Sequence, residues 1–195
     1  MKLSLALSAL LMLFAGGVLA EEYKPIIGSF KGSNMEFSLK CAALFQLTTM
    51  APDNDQQFQE VATASGQLMG GLVVDNYKVA RISIGRRELK YKRLEVVDRL
   101  YLGYPKNKIV LFQTYERCNE FIQYIFKNYE SYDDFGLTRI QPPERKEISE
   151  ERKIILDNMF KTIMANGKKL LLQQNFSKPS DVYKAFDKEL GIKEY

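Results

Sequence analysis

Residues Asn107–Glu130, NKIVLFQTYERCNEFIQYIFKNYE, decide the fold class. Leu111, Tyr115, Cys118, Ile122, Ile125 and Tyr129 recur at alternating spacings of four and three, which places all six on one stripe of an α-helix. Phe121 and Phe126 widen that stripe into a face that needs partners on more than one side. At about 1.5 Å per residue the segment is roughly 36 Å long, enough to cross a small domain. Its inward side carries one of the chain's two cysteines. The reading is an all-α, compact multi-helix bundle of about five to seven helices around a long central helix, 107–130.

Upstream segments supply partners for that face. Ser33-Asn34-Met35-Glu36 fits a capping box, and the helix it starts turns Phe37, Cys41, Leu44, Phe45 and Thr48 inward until Ala51-Pro52 ends it. Asp53-Asn54-Asp55 offers N-caps for a second helix bearing Phe58, Val61, Leu68, Met69, Leu72 and Val73. Ala62, Gly66 and Gly70 lie four apart on one side of it, where small residues admit a neighbouring backbone. Gly71–Gly85 fits either a β-hairpin or more helix. Helix is the reading taken, because a lone hairpin is marginally stable without a sheet. Arg86–Tyr101, RRELKYKRLEVVDRLY, is a basic helix with Leu89, Leu94, Val96, Val97, Leu100 and Tyr101 inward. Glu88 faces Lys92 and Glu95 faces Arg99. Arg86, Lys90 and Arg93 are left as a cationic strip. Gly103-Tyr104-Pro105 then turns the chain into 107–130.

Downstream, Ser131–Glu147 (SYDDFGLTRIQPPERKE) is a long connector in which Pro142-Pro143 forbids continuous helix. Phe135, Leu137 and Ile140 suggest that part of it docks. Ser149 caps a further helix, with Glu150 and Glu151 in its first turn and Ile155, Leu156, Met159, Phe160 and Ile163 inward. Asn166-Gly167 reads as a break, followed by a short helix over Lys168–Asn175 led by Leu170, Leu171 and Leu172. After Ser177-Lys178-Pro179-Ser180, a last helix carries Val182, Phe186 and Leu190 and stops at Gly191.

Met1–Ala20 has the form of a secretory signal peptide. Lys2 precedes the apolar run Leu3–Phe14, then Gly16-Gly17, then small residues before Glu21. Glu21–Ser33 follows as an extended arm, and 34–195 as a single helical domain containing the connector 131–147. Behind a signal peptide, two inward cysteines pair. A Cys41–Cys118 disulfide would close a long loop, for which the chain-entropy model gives roughly 4–5 kcal/mol.

Composition narrows the function. The chain of 195 residues has 28 basic and 24 acidic groups, a formal net charge of +4 and no histidine or tryptophan. That charge is far from the footprint of a nucleic-acid binder, so no nucleic-acid partner is expected. Lacking histidine removes Ser–His and Cys–His nucleophilic sites and His-containing zinc sites. No calcium loop, phosphate loop or Cys-x-x-Cys motif is present, so no metal, cofactor or catalytic residue is assigned. Eleven tyrosines and twelve phenylalanines fall mostly on inner faces, as core aromatics do. In design, such a chain is similar to periplasmic immunity proteins and small periplasmic chaperones, an architectural resemblance that rests on no motif.

The function expected is an exported, periplasmic or secreted, non-catalytic protein that binds another macromolecule. It would have no membrane span after signal cleavage. Arg86, Lys90, Arg93, Phe135 and Arg139 are the candidate contacts, toward a protein or an anionic surface or lipid. Two alternatives are an apolar-ligand or lipid carrier and a carboxylate-dependent hydrolase of cell-wall material. Asp133-Asp134 and Glu150-Glu151 are the visible acid pairs for the latter. Isolated from an oxidising compartment, the chain is expected to begin at Glu21 by intact mass. It should take up thiol reagent only after reduction; uptake by the denatured, unreduced protein would break the pairing.

Overall fold

The computed structural model describes residues 32–52, 56–79, 84–128 and 142–191. The leader 1–20, nearly all of the arm 21–33, Asp53–Asp55 and the connector's Phe135 and Arg139 lie outside the described residues. Six helices occur among those described: α1 (Gly32–Thr48), α2 (Gln56–Val79), α3 (Arg86–Gly103), α4 (Lys108–Asn128), α5 (Glu150–Gln173) and α6 (Pro179–Glu189). No strand occurs among them. The stretch open to a hairpin reading is helical up to Val79.

α4 is the rod read from 107–130, and its stripe is buried at Leu111, Tyr115, Cys118, Ile122 and Ile125. Phe112 and Phe121 flank the stripe, also buried. Phe126 does not join them; in the last turn of α4 it is 36% exposed. The most enclosed helix is α1 along its C-terminal half. Cys41, Ala42, Ala43, Leu44, Phe45, Leu47 and Thr48 are all buried, and α1 packs on α2, α3, α4 and α5. A helix that is apolar all round belongs inside a core, and the run CAALFQL has that character. α1 begins at Gly32, one residue before the expected cap, and Glu36 engages Lys40 at 2.6 Å.

Each contact of α1 has a local cause. Against α2, Gly66 lets the backbones close in: a Cβ there would lie 3.5 Å from Phe45 Cβ and 3.8 Å from the Ala42 carbonyl. Against α4, Cys41 and Cys118 form a disulfide spanning 77 residues. Phe37 meets Phe121 edge-on at 5.6 Å, and the Arg117 guanidinium sits 4.9 Å over the Phe37 ring. α4 packs antiparallel on α5. Phe160 stacks on Phe112 at 5.8 Å and meets Tyr115 edge-on. Ion pairs Arg152–Glu116 at 2.8 Å and Lys108–Asp157 at 3.3 Å flank these rings. Burial, then the neighbouring Glu116 carboxylate, pushes the Tyr115 hydroxyl up to about 12, so it stays neutral. The end of the connector, 142–147, runs along α4. Arg117 Nε donates to the Pro143 carbonyl at 2.8 Å, and Lys146 pairs with Glu120 at 3.1 Å.

One helix, α5, stands where the sequence reading expects two. Ser149 caps α5 as expected, its Oγ accepting from the Arg152 N–H, but α5 then runs unbroken through Asn166-Gly167. Gly167 is an interior contact: a Cβ there would lie 2.9 Å from Met50 Sδ and 3.5 Å from Tyr101. Asn166 Nδ2 donates to the Met50 carbonyl at 2.9 Å, satisfying the backbone just past α1. The turn of positive φ comes at Asn175, φ 59°, where the Phe176 N–H bonds back to the Leu171 carbonyl; asparagine tolerates that conformation. Leu171 is buried, whereas Leu170, Leu172 and Ile155 are exposed, so the expected inner face of α5 is narrower by Ile155.

Because Gly167 is helical rather than a cap, Gly167→Ala should shift stability by no more than about 1 kcal/mol, helix propensity offsetting a displaced Met50. Gly167→Leu should lose about 1–3 kcal/mol by overpacking. Urea midpoints of the two variants check this. A large loss already at alanine would restore the break.

Candidate binding groove

α6 docks on α3 through polar groups. Its buried residues are Pro179, Ser180 and Asp187. At one end, Asp98 of α3 accepts from the Ser180 N–H at 2.9 Å and the Ser180 hydroxyl at 2.6 Å, with Lys178 Nζ at 3.3 Å. A carboxylate at a helix N-terminus takes up free N–H groups and faces the positive end of the dipole. At the other end, Asp187 of α6 accepts from Lys90 Nζ and the Tyr91 hydroxyl, both at 2.7 Å. The helices therefore lie antiparallel, held by two carboxylates, one from each. Lys90, then Tyr91, hold the Asp187 carboxyl below its ordinary value, with Arg87 adding to the effect. This docking overturns the inward reading of Phe186 and Leu190. They are 56% and 59% exposed, because α3 offers one acid, a lysine and a tyrosine to α6 rather than apolar surface.

The same docking carries Tyr183 over a groove of about 260 Å³ between α1, α2 and α3. Ala42, Ala62 and Gly66 make its floor; Gln46, Arg93 and Tyr183 stand around it, with Thr49, Thr63 and Gln67 at the rim. Because those residues are small, they leave open space between the longer side chains around them. Arg93 reaches it from α3 by passing Gly70, where a Cβ would lie 3.7 Å from Arg93 Nη1. Lys90 Nζ sits 5.7 Å from the centre of the Tyr183 ring. Three buried side-chain polar atoms among the described residues lack a hydrogen-bond partner: Gln46 Oε1, Arg93 Nε and Tyr104 Oη. Two of the three belong to residues that line this groove. One is an acceptor without a donor and the other a cationic donor without an acceptor. Buried polar groups are nearly always paired, so the coincidence marks the groove.

The three-cation strip is thus divided. Arg86 is exposed at the start of α3, Lys90 is consumed by Asp187, which corrects its reading as unpaired, and Arg93 faces the groove. Gln46 and Tyr183 were absent from the sequence candidates. Gln46 had a signal, as the one polar side chain within the apolar run Cys41–Leu47; Tyr183 had none. A second groove, of about 280 Å³ between α1 and α3, is bordered by Glu36, Lys92 and Arg99. There Glu36 pairs with Lys40 and Lys92 with Glu88.

No group of three or more histidine, cysteine or acidic residues among the described residues could hold a metal ion. None of the described helices is long and apolar enough to cross a membrane.

A group whose folded pKa is lowered contributes stability above its unfolded pKa and loses it as pH falls through the folded one. The stability difference between the native protein and Asp187→Asn, read as urea midpoints, should be constant above about pH 5 and close below about pH 4. A difference that persists in acid would mean that the carboxylate charge does not hold α6. No protein-family model matches the chain, and no curated protein or solved structure is similar to it.

Proposed function

We propose that this is an exported, non-catalytic helical protein of the periplasm or extracellular space that acts by binding another protein. An immunity-, inhibitor- or chaperone-like role fits this reading. The contact point is the groove beneath Tyr183. The observation that carries it is the groove itself, lined by Gln46 and Arg93, each of which also keeps a buried polar atom without a hydrogen-bond partner, and walled by Tyr183. Leaving a buried donor or acceptor unpaired costs about 1–3 kcal/mol, so side-chain movement on binding that pairs either atom favours the bound state. Exposed Phe186 on α6, the helix that bears Tyr183, and Leu190 at its C-cap add apolar surface. Export is supported by the Cys41–Cys118 disulfide and by the signal-like first twenty residues.

The alternatives draw less from the geometry. A carrier needs space among the aromatic rings, and Phe112, Tyr115 and Phe160 are in contact with one another. A carboxylate hydrolase needs two free acids in a cleft, and the buried acids Asp98 and Asp187 are engaged in holding α6.

A photo-crosslinking residue at Gln67, on the exposed rim, should give a discrete protein adduct in the exporting cell. The same residue at Lys169 on α5 should not, and Arg93→Ala should abolish the Gln67 adduct. Identical adducts from both positions, or none from Gln67, would remove the groove as the contact point.

A further inference from the structure

We propose that α6 is a hinged strap. It swings away from α3 as a formed helix, about the turn Gln174–Lys178, while the bundle α1–α5 stays folded. Its departure takes the Tyr183 wall away from the groove. The inference concerns how that wall is held, and it stands whether or not the groove is the contact point.

The attachment of α6 is narrow and polar. No residue of α6 belongs to the hydrophobic core or packs against it. Its buried residues are a proline, a serine and an aspartate. Among the described helices, α3 is the one on which α6 packs extensively. Segments with few buried apolar contacts open at a lower free energy than the whole fold. Opening also strands nothing: Asp98, Ser180, Lys90, Tyr91 and Asp187 would exchange their mutual bonds for bonds to water, and the net contribution of such bonds is small.

The bundle is held by other means. The disulfide joins α1 to α4, and the loop that it closes does not include α6. α5 is fixed through Phe160 on the rings of α4 and through Asn166 on the Met50 carbonyl.

The turn between α5 and α6 is built as a joint. α5 ends on its own bonds: the Gln174 and Phe176 N–H groups donate to the Leu171 carbonyl and the Asn175 N–H to the Leu172 carbonyl. α6 begins on its own as well. Asp181 accepts from the Ser177 N–H and hydroxyl and from the Lys178 N–H. Helix ends need partners for their free backbone groups. Here each end supplies its own, so neither helix depends on the other to stay formed. Between them Asn175 has φ 59°, a conformation that asparagine tolerates.

The test is backbone hydrogen exchange followed by NMR in the oxidised protein. The Ser180 N–H is the reporter, because it donates across to Asp98 and is released only when that end of α6 leaves α3. Asp187→Asn weakens the latch at the opposite end. It should speed exchange at Ser180 about tenfold, by the same factor as in the rest of α6, and leave the amides of α4 unchanged. Lys90→Met, which breaks the same contact from α3, should do likewise. Acceleration confined to the last turn of α6 means fraying in place and overturns the swing. Equal acceleration in α4 and α6 means that α6 opens only with the bundle and overturns the strap. No acceleration at Ser180 in either variant overturns it too.

Discussion

Helix α1 leaves almost nothing of its middle for water, and the bundle follows from that. A segment in which seven residues between Cys41 and Thr48 are buried can be stable only if other elements surround it, because a single neighbour covers one stripe. α2 covers the side of Ala42 and Phe45, where Gly66 admits it. α4 covers the side of Phe37 and Cys41, where the disulfide fixes the distance. α3 and α5 close the remainder. The cross-link joins the most buried helix to the rod facing it, so its loop-closing constraint acts at the centre of the core rather than at the rim.

The last helix follows a different logic. α6 buries a serine and an aspartate and exposes a phenylalanine and a leucine, the reverse of an ordinary amphipathic docking. The carboxylates make this workable. Asp98 meets the N-terminal end of α6, where N–H groups would otherwise lack partners, and Asp187 meets a lysine and a tyrosine together. Two well-made polar contacts at opposite ends fix both the position and the direction of a short helix, which hydrophobic contact alone fixes less strictly. That orientation brings Tyr183 to the groove, so the element that looks least like core builds one of its walls.

The groove shows how satisfied and unsatisfied polar groups divide the labour. Asp98, Asp187, Asn166 and Arg117 all have hydrogen-bond partners and act as fasteners. Gln46 Oε1 and Arg93 Nε have none. Their residues border the groove beside the close α1–α2 contact, where small side chains leave surface space that the longer ones around it do not fill.

Much was legible from residue order alone, because helices are local. The spacing in 107–130, the apolar face of α1, the Ser149 cap, the glycine stop at Gly191 and the inward turn of both cysteines depend on neighbours within a few positions. The small-residue side of α2 was legible for the same reason. What the residue order left open depends on groups far apart in the chain. Gly167 reads as a break until Met50 and Tyr101 come to rest against it. Phe186 and Leu190 read as core until Asp98 and Lys90 claim the other side of their helix. Arg86, Lys90 and Arg93 read as one strip because they share a helix, and they separate once α6 takes Lys90 and the groove takes Arg93. Periodicity determines which residues can share a face. Only tertiary packing decides what that face meets, because the cost of burying a polar or apolar group is set by the partner it finds there.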